Sequence, residues 1–201
     1  MSSILLALVL GLPACSETAR KPATESPLEQ VRLILEAEEL LGMEPVTVTA
    51  SRCERSAGDI HCFYSEGDYW WPDTISPDGP YIRRDGMTNP GNFVDHRQAM
   101  RSFSSDVAAL TAAFKLTDDE RYAAHAVKHL RAWFVDAATF MRPHLLYSQA
   151  IKGRDTGRYI GVIDGIHLIE VSRSIQVLTE KGYLKGQKLD DIKTWFDQYL
   201  N

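Results

Sequence analysis

Apolar residues recur at helical spacing along much of the chain, and the first such segment starts at a helix-initiation signal. Ser26, Pro27 and Glu29 occupy the cap, first and third positions of a capping box with proline in the first turn. Gly42 supplies the stop. The pattern predicts an amphipathic helix between these signals, with an apolar stripe formed by Leu28, Val31, Leu35 and Leu41.

Four more amphipathic helices are predicted after residue 94. The second helix covers about 95–114, a Thr-Asp-Asp-Glu capping box at 117–120 starts the third, the fourth spans about 164–181, and the fifth begins near Leu189. Residues 46–64 indicate β-rich or irregular structure. Because these helices suit antiparallel pairing, the sequence predicts an all-α toroid or bundle of helical hairpins.

The segment 65–89, SEGDYWWPDTISPDGPYIRRDGMTN, separates the first two helices and concentrates aromatic and basic residues between prolines and glycines. Proline fixes φ and removes an amide donor, so this composition predicts a shaped loop. Aromatic rings stack on flat ligand faces and arginine matches a carboxylate, and an acidic sugar polymer offers both surfaces. The alternative is a loop pinned to the core by its own aromatic residues. The candidate ligand contacts are Tyr69, Trp70, Trp71, Arg83 and Arg84.

The charge distribution favours a small anionic ligand over nucleic acid. The net charge of −5 argues against broad nucleic-acid binding. Residues 142–158 are nevertheless locally basic, because four cations face only Asp155; they are Arg142, Lys152, Arg154 and Arg158. Such a patch on an acidic protein suits an anionic site of limited size.

The N-terminus predicts export. Residues 1–15 contain a short apolar core typical of a secretory signal, and Leu12-Pro13-Ala14-Cys15 resembles a lipoprotein box in which Cys15 is lipidated. Simple cleavage is the alternative. Residues 16–26 have the composition of a disordered tether, which leaves 27–201 as one domain. We therefore expect a periplasmic, outer-membrane-anchored or secreted protein of bacterial type.

Two cysteines remain, Cys53 and Cys62. An even pair in an exported protein predicts a local disulfide, with two free buried thiols as the alternative. His125 and His129 stand four positions apart without a third ligand, so a solvated helix face is expected there and no metal site is predicted.

Three runs resemble the bacterial alginate lyase family: SEGDYWWPD…GPYIRRDGMTNP, LRAWFVDAATFMRP and LLYSQAIKGRDTGRYIGVIDGIHLIEV. The likeness covers about residues 60–201. It implies an (α/α) toroid of helical hairpins with a groove for an acidic polysaccharide, which is cleaved by β-elimination without a cofactor. That reaction requires donors that neutralise the uronate carboxylate, a base that removes the C5 proton and an acid that protonates O4.

The resemblance also implies roles for particular residues. Tyr69, Trp70 and Trp71 would form a sugar platform, with Arg83 and Arg84 as carboxylate contacts. A second patch has the composition of a uronate subsite; it contains Tyr147, Gln149, Arg154 and Arg158. His167 and Tyr147 are the candidate catalytic groups. Asp164 lies three positions before His167, and the alternative is that Asp164 caps the fourth helix while His167 is a core residue.

The chain also departs from the family pattern. Members carry a catalytic Asn-Asn-His motif followed by an Arg and a Tyr, and none of these is matched here. We therefore expect the N-terminal half of a lyase with an incomplete toroid. One alternative is a non-catalytic, surface-anchored polysaccharide-binding protein. Another is a glycoside hydrolase, which needs two carboxylates across a cleft; no spacing singles out a pair among Asp68, Asp73, Asp85 and Asp164.

Overall fold

The computed structural model describes residues 26–201. The predicted signal at 1–15, the lipidation candidate Cys15 and nearly all of the predicted tether lie outside the described residues. The α-helices are α1 (Pro27–Leu40), α2 (Asp95–Thr117), α3 (Glu120–Phe134), α4 (Leu168–Glu180) and α5 (Gln187–Leu200). The strands are β1 (Tyr64–Glu66), β2 (Trp70–Trp71), β3 (Ile82–Arg83) and β4 (Tyr147–Ala150), and two 3₁₀ helices span Val48–Ala50 and Tyr159–His167.

Helix α2 is the centre of the fold, because α1, α3 and α4 all pack against it. Its Phe103 stacks on Trp133 of α3 with ring centroids 4.6 Å apart. The next residue of α3, Phe134, continues the aromatic core to Trp195 of α5 at 4.5 Å. Helix-on-helix packing of this kind agrees with the predicted mostly α-helical class.

The capping box of α1 is confirmed, because the Glu29 backbone N–H donates to the Ser26 hydroxyl at 3.3 Å and the Glu29 side chain accepts from the Ser26 N–H. The predicted apolar stripe is wrong in its burial. Leu28, Val31 and Leu35 are 79%, 54% and 61% exposed. The helix packs instead through its C-terminal half, where Ala37 and Leu40 are buried.

The predicted Thr-Asp-Asp-Glu capping box is also wrong. Helix α2 continues through Thr117, and the chain then reverses at Asp118, whose φ of 56° places it in the left-handed region. The cap of α3 is Asp119, whose carboxylate accepts from the Arg121 N–H at 2.9 Å. The Thr117 hydroxyl donates to the Ala113 carbonyl at 2.8 Å within the last turn of α2 and does not cap α3.

The start of the fourth helix differs from the prediction as well. Helix α4 begins at Leu168, and residues Tyr159–His167 form a 3₁₀ segment before it. Asp164 does not cap α4, because its carboxylate is bound by Arg97 and Ser65 instead. Asp164 therefore makes tertiary contacts with Arg97 and Ser65 and does not cap a helix locally.

The four strands form two small two-stranded sheets. Strands β1 and β4 pair in parallel, with Tyr64 opposite Tyr147 and Glu66 opposite Ala150. One residue of β1 thus faces two residues of β4, which is a β-bulge. Strands β2 and β3 pair antiparallel within the 65–89 loop, with Trp70 opposite Arg83 and Trp71 opposite Ile82.

Cys53 and Cys62 are both buried and free in the structure, so the disulfide predicted from their spacing is not formed. The two thiols have different neighbours. Cys53 packs in a small cluster with Tyr64 and Ala150. The Cys62 thiol instead donates to the Asp59 carboxylate at 3.2 Å. This arrangement corresponds to the alternative of two free buried thiols.

No helix within residues 26–201 is both long and apolar enough to cross a lipid bilayer. Within the same residues, no three histidine, cysteine or acidic side chains are grouped so that they could hold a metal ion.

His129 on α3 is buried, which corrects the expectation of a solvated histidine pair. Burial lowers the pKa of His129 to about 4, and the nearby charges of His125 and Lys128 act in the same direction. The unfolded chain takes up this proton near pH 6.5. The contribution of neutral His129 to stability is therefore fully present above pH 6.5 and is lost as the pH falls through about 4.

We expect the free energy of unfolding to fall by up to about 3 kcal/mol over this range through His129 alone. The His129→Leu variant should lose less stability than the parent between pH 6.5 and 4, as measured by denaturant unfolding. The same pair at pH 8, where both forms carry no charge at this position, gives the reference for packing effects. Parallel pH profiles for parent and variant would contradict the assignment.

Candidate functional site

A cavity of about 380 Å³ lies between the β2–β3 hairpin and the end of β4. It brings together five of the residues predicted from sequence to bind substrate: Tyr69, Trp70, Arg83, Gln149 and Arg158. Asp68 and Ile160 complete the lining. We call this cavity, with its seven lining residues, the aromatic–basic subsite.

The β2–β3 hairpin divides the predicted aromatic and basic residues between its two faces. Successive side chains of a strand point to opposite sides, and directly paired residues share a side. Trp70 and Arg83 are paired and both line the subsite. Trp71 lies on the other face, where the Arg84 guanidinium carbon is 5.3 Å from its ring centroid and its indole N–H donates to the Met87 carbonyl at 2.8 Å. Trp71 and Arg84 are therefore not brought into this subsite.

Gln149 enters the subsite because of the bulge in β4. Its φ of 56° is in the left-handed region, which is uncommon for a residue with a side chain. The backbone is held in this conformation at both ends. The Gln149 N–H donates to the Ser65 hydroxyl at 2.8 Å, and its carbonyl accepts from Arg158 Nε at 2.6 Å. Strained residues that neighbours hold in place cluster at functional sites.

Arg158 brings a positive charge to the subsite and forms no salt bridge there. Within residues 26–201, no carboxylate forms a salt bridge with Arg158, whose side chain is partly buried. Burial lowers the pKa of the Arg158 guanidinium; the negative charge of Asp155 opposes this effect, and the positive charge of Arg83 adds to it. Arg154 and Arg158 lie 5.2 Å and 6.0 Å from the Trp70 ring centroid, which is the range of cation–π attraction. An anionic ligand would relieve this imbalance.

Arg97 organises the region beneath the subsite, and sequence reasoning missed it. Its Nε contacts the Asp164 carboxylate at 3.1 Å, its Nη1 contacts the Asp68 carboxylate at 2.5 Å and its Nη2 donates to the Glu66 carbonyl at 2.8 Å. The side chains of Arg97 and Asp164 are 10% and 9% exposed. A buried ion pair with this many hydrogen bonds fixes geometry even where it adds little net stability.

Two further buried polar residues support β1. Glu66 accepts from Arg55 and from the Phe93 N–H at 2.7 Å. Burial raises the pKa of Glu66, but these hydrogen bonds outweigh burial and leave the pKa below its ordinary value. His96 accepts from the Tyr64 N–H at 2.9 Å, so its other nitrogen must donate to the Ser51 carbonyl. His96 lies four positions before Met100 on the apolar stripe of α2, which is a signal that could have marked it as buried.

The two candidate catalytic residues do not line the subsite. The Tyr147 ring packs over Gly58 and against the small cluster that contains Tyr64. His167 lies at the end of the 3₁₀ segment, where burial lowers its pKa and the charge of Arg101 acts in the same direction. Catalytic roles for Tyr147 and His167 therefore stay predictions from sequence.

The acidic residues do not form a pair across the subsite. Among the four aspartates considered from sequence, only Asp68 lines it. Asp164 is buried in the ion pair with Arg97, and Asp85 pairs with Arg83 on the surface. Two facing carboxylates are the minimum for most glycoside hydrolysis, so the described part of the chain does not favour that alternative here.

A larger cavity of about 500 Å³ lies next to the subsite, with Arg158 in the wall of both. Its other walls are mainly apolar and include Leu145, Val162 and Leu200. Specific recognition of a sugar acid requires several convergent polar groups, and these are in the smaller cavity.

Comparison with known proteins identifies the family of the chain. A family model described as alginate lyase matches residues 47–201. The chain belongs to the alginate lyase family. A crystal structure of an alginate lyase from Bacteroides ovatus is 36% identical to the chain and superposes with a TM-score of 0.77. A search of curated proteins gave no match.

The structural match covers 87% of this chain and 48% of the Bacteroides alginate lyase, so the chain spans about half the length of that protein. Together with the family match, it confirms both the resemblance stated from sequence and the mostly α-helical (α/α) toroid fold.

If the subsite binds sugar rings, the two adjacent tryptophans should differ. We expect Trp70→Ala to weaken binding of alginate oligosaccharides by about 1–3 kcal/mol, the range for loss of a large apolar contact. Trp71→Ala, on the opposite face of the hairpin, is the matched control and should have a smaller effect. Titration calorimetry on both variants, with thermal melting to verify folding, would show the difference; equal losses would contradict the assignment of faces.

A second expectation concerns Arg158. Lysine keeps the charge but cannot reproduce the planar guanidinium, which here holds the Gln149 carbonyl and faces the cavity. Arg158→Lys should therefore weaken affinity for alginate oligosaccharides about tenfold, the effect of one lost charge-assisted hydrogen bond. Arg173→Lys, an exposed change on α4, is the control and should leave affinity unchanged. Unchanged affinity in Arg158→Lys would remove this residue from the binding site.

Proposed function

We propose that the protein is a polysaccharide lyase that cleaves a uronate-containing polymer by β-elimination, and that this chain supplies the N-terminal half of the enzyme and part of its substrate groove. One observation carries the proposal. The aromatic–basic subsite combines the Trp70 ring with the Arg158 cation, which forms no salt bridge within residues 26–201. A uronate residue needs both, because its ring has an apolar face and its carboxylate carries negative charge.

The subsite residues have a defined task in this reaction. A uronate C5 proton becomes acidic enough to remove only when the carboxylate charge is neutralised. Arg158 Nη2 lies 3.4 Å from Gln149 Oε1, so the guanidinium and the side-chain amide stand side by side. Both groups are preorganised donors for that carboxylate. Their task is to stabilise the charge that develops as the proton leaves.

The proposal assigns proton transfer to residues outside the subsite. Neither Tyr147 nor His167 lines it, and the Asn-Asn-His motif of the family is not in this sequence. Coverage of 48% of the Bacteroides alginate lyase supports the view that further parts of the groove are contributed elsewhere. Export and anchoring through a lipidated Cys15 stay predictions from sequence.

Two measurements on the same samples test the proposal. Residues 1–201 and the longest natural protein that contains them are incubated with alginate and with polyglucuronate, while ultraviolet absorbance follows the unsaturated uronyl product. Titration calorimetry with saturated oligosaccharides of each polymer measures binding. We expect both proteins to bind one of the polymers and only the longer protein to release unsaturated product.

Each other outcome has a distinct meaning. Binding by both proteins without product would favour the non-catalytic polysaccharide-binding alternative. Product from residues 1–201 alone would show that this chain contains its own base, and His167 and Tyr147 would then be the first residues to substitute. Absence of binding to either polymer would overturn the uronate assignment.

A further inference from the structure

The side chain of Arg97 touches residues of the subsite without lining it. Its three contacts point in three directions, to the carboxylates of Asp164 and Asp68 and to the Glu66 carbonyl. A guanidinium can satisfy three separated acceptors at once because its donors are fixed in one plane. A lysine ammonium on a flexible stem cannot hold the same set.

One of these contacts leads to the Gln149 wall of the subsite through a serine. The Ser65 hydroxyl lies between Asp164 and Gln149, donating to the carboxylate and accepting from the backbone N–H at 2.8 Å. An ionised carboxylate only accepts, so the hydroxyl hydrogen must point towards Asp164 and its lone pairs are left for Gln149. The direction of these hydrogen bonds, the relay from Asp164 through Ser65 to Gln149, is therefore set by the Asp164 carboxylate, which Arg97 contacts at 3.1 Å.

The other contacts lead to the aromatic wall. Asp68 lines the subsite and directly precedes Tyr69 and Trp70, and its carbonyl also accepts from the Asn89 N–H at 2.8 Å. Arg97 holds the side chain of Asp68 and the backbone carbonyl of Glu66, two positions before it. The Gln149 side and the aromatic side of the subsite are thus both connected by hydrogen bonds to Arg97 on α2.

We propose that Arg97 is a positioning residue of the uronate subsite, which fixes the strained backbone of Gln149 through Asp164 and Ser65 and fixes the aromatic strand through Asp68. The identity of the ligand rests on the proposed function, while the positioning of Gln149 and Trp70 by Arg97 does not depend on it. Arg97 does not contact the sugar. Its role is to keep the distance between the Gln149 amide and the Trp70 ring constant, so that the amide can bind the carboxylate of a uronate while the ring packs on the sugar face.

The sharpest test removes the relay hydroxyl and leaves the buried charges in place. Ser65→Ala removes the link between Asp164 and Gln149, and Ser104→Ala is its matched control. Ser104 is also a buried serine, and its hydroxyl also joins two elements, α2 and the His167 carbonyl, but it has no contact with the relay. Arg97→Lys is made in parallel. If the Arg97→Lys variant does not fold, the proposal is tested with Ser65→Ala alone.

The binding readout is titration calorimetry with saturated alginate tetrasaccharides. Ser65→Ala should weaken affinity about fivefold or more, as expected when a buried N–H loses its acceptor. Ser104→Ala should stay within about twofold of the parent, whatever it does to stability. In a Gln149→Ala background, Ser65→Ala should have a smaller effect on affinity than in the parent, because the side-chain amide is gone and only the Gln149 carbonyl that holds Arg158 is still positioned. Equal effects of both serine variants, or additive effects with Gln149→Ala, would overturn the proposal.

A second readout needs no ligand. In proton–nitrogen correlation spectra of the full chain, Ser65→Ala and Arg97→Lys should both shift the backbone and side-chain amide signals of Gln149 and the indole signal of Trp70, and Ser104→Ala should not. If these shifts occur but the parent binds no uronate, the positioning role stands and the proposed function fails. If the parent binds uronate and the signals of Gln149 do not move, the positioning role fails and the proposed function stands.

Discussion

The buried guanidinium of Arg97 is the interaction on which the site depends. Helix α2 lies at the centre of the fold, and Arg97 stands in its first turn, on the helix that contacts strand β1. An arginine placed there without anions would be strongly destabilising, and Asp164 without Arg97 would be equally so. Each therefore requires the other, and the segments that carry them must dock in one arrangement. The geometry of the subsite follows from that requirement more than from the local preferences of the loops that line it.

A second constraint is the alternation of side chains along a strand. The aromatic and basic residues of the 65–89 loop look equivalent in sequence, yet the two-residue ladder between β2 and β3 places Trp70 with Arg83 and turns Trp71 towards Arg84. Each face thereby receives one indole and one cation. A shift of one residue in this register would exchange the two sets. The observed register is supported by two hydrogen bonds from Asn89. Its side-chain amide donates to the Trp70 carbonyl, and its backbone N–H donates to the Asp68 carbonyl.

Sequence reasoning succeeded where the signal is local. The capping box at Ser26 and the apolar stripes of α2, α3 and α5 depend on residues within one or two turns of each other, and these helices are present. The sequence also singled out rings and cations in the shaped loop, and the structure brings Trp70 and Arg83 of that loop to one cavity; their binding role stays a prediction. Asp164 was misjudged because its partner Arg97 is 67 positions away. The positive φ of Gln149 follows from a bulge that only the pairing of β1 with β4 creates. The exposure of Leu28 on α1 depends on which neighbours are present, and no periodicity contains that information.

The long sequence separation inside the relay has a consequence for synthesis of the protein. Ser65 and Asp164 are 99 positions apart, and Ser65 and Gln149 are 84 apart. The aromatic loop therefore leaves the ribosome long before the residues that hold it in place have been made. Until Asp164 emerges, Arg97 lacks one of its two carboxylate partners, and Trp70 lacks the residues of the opposite side of the cavity, Gln149 and Arg158. The nascent chain therefore passes through a stage in which the subsite is incomplete, and contacts of such long sequence separation are slow to form.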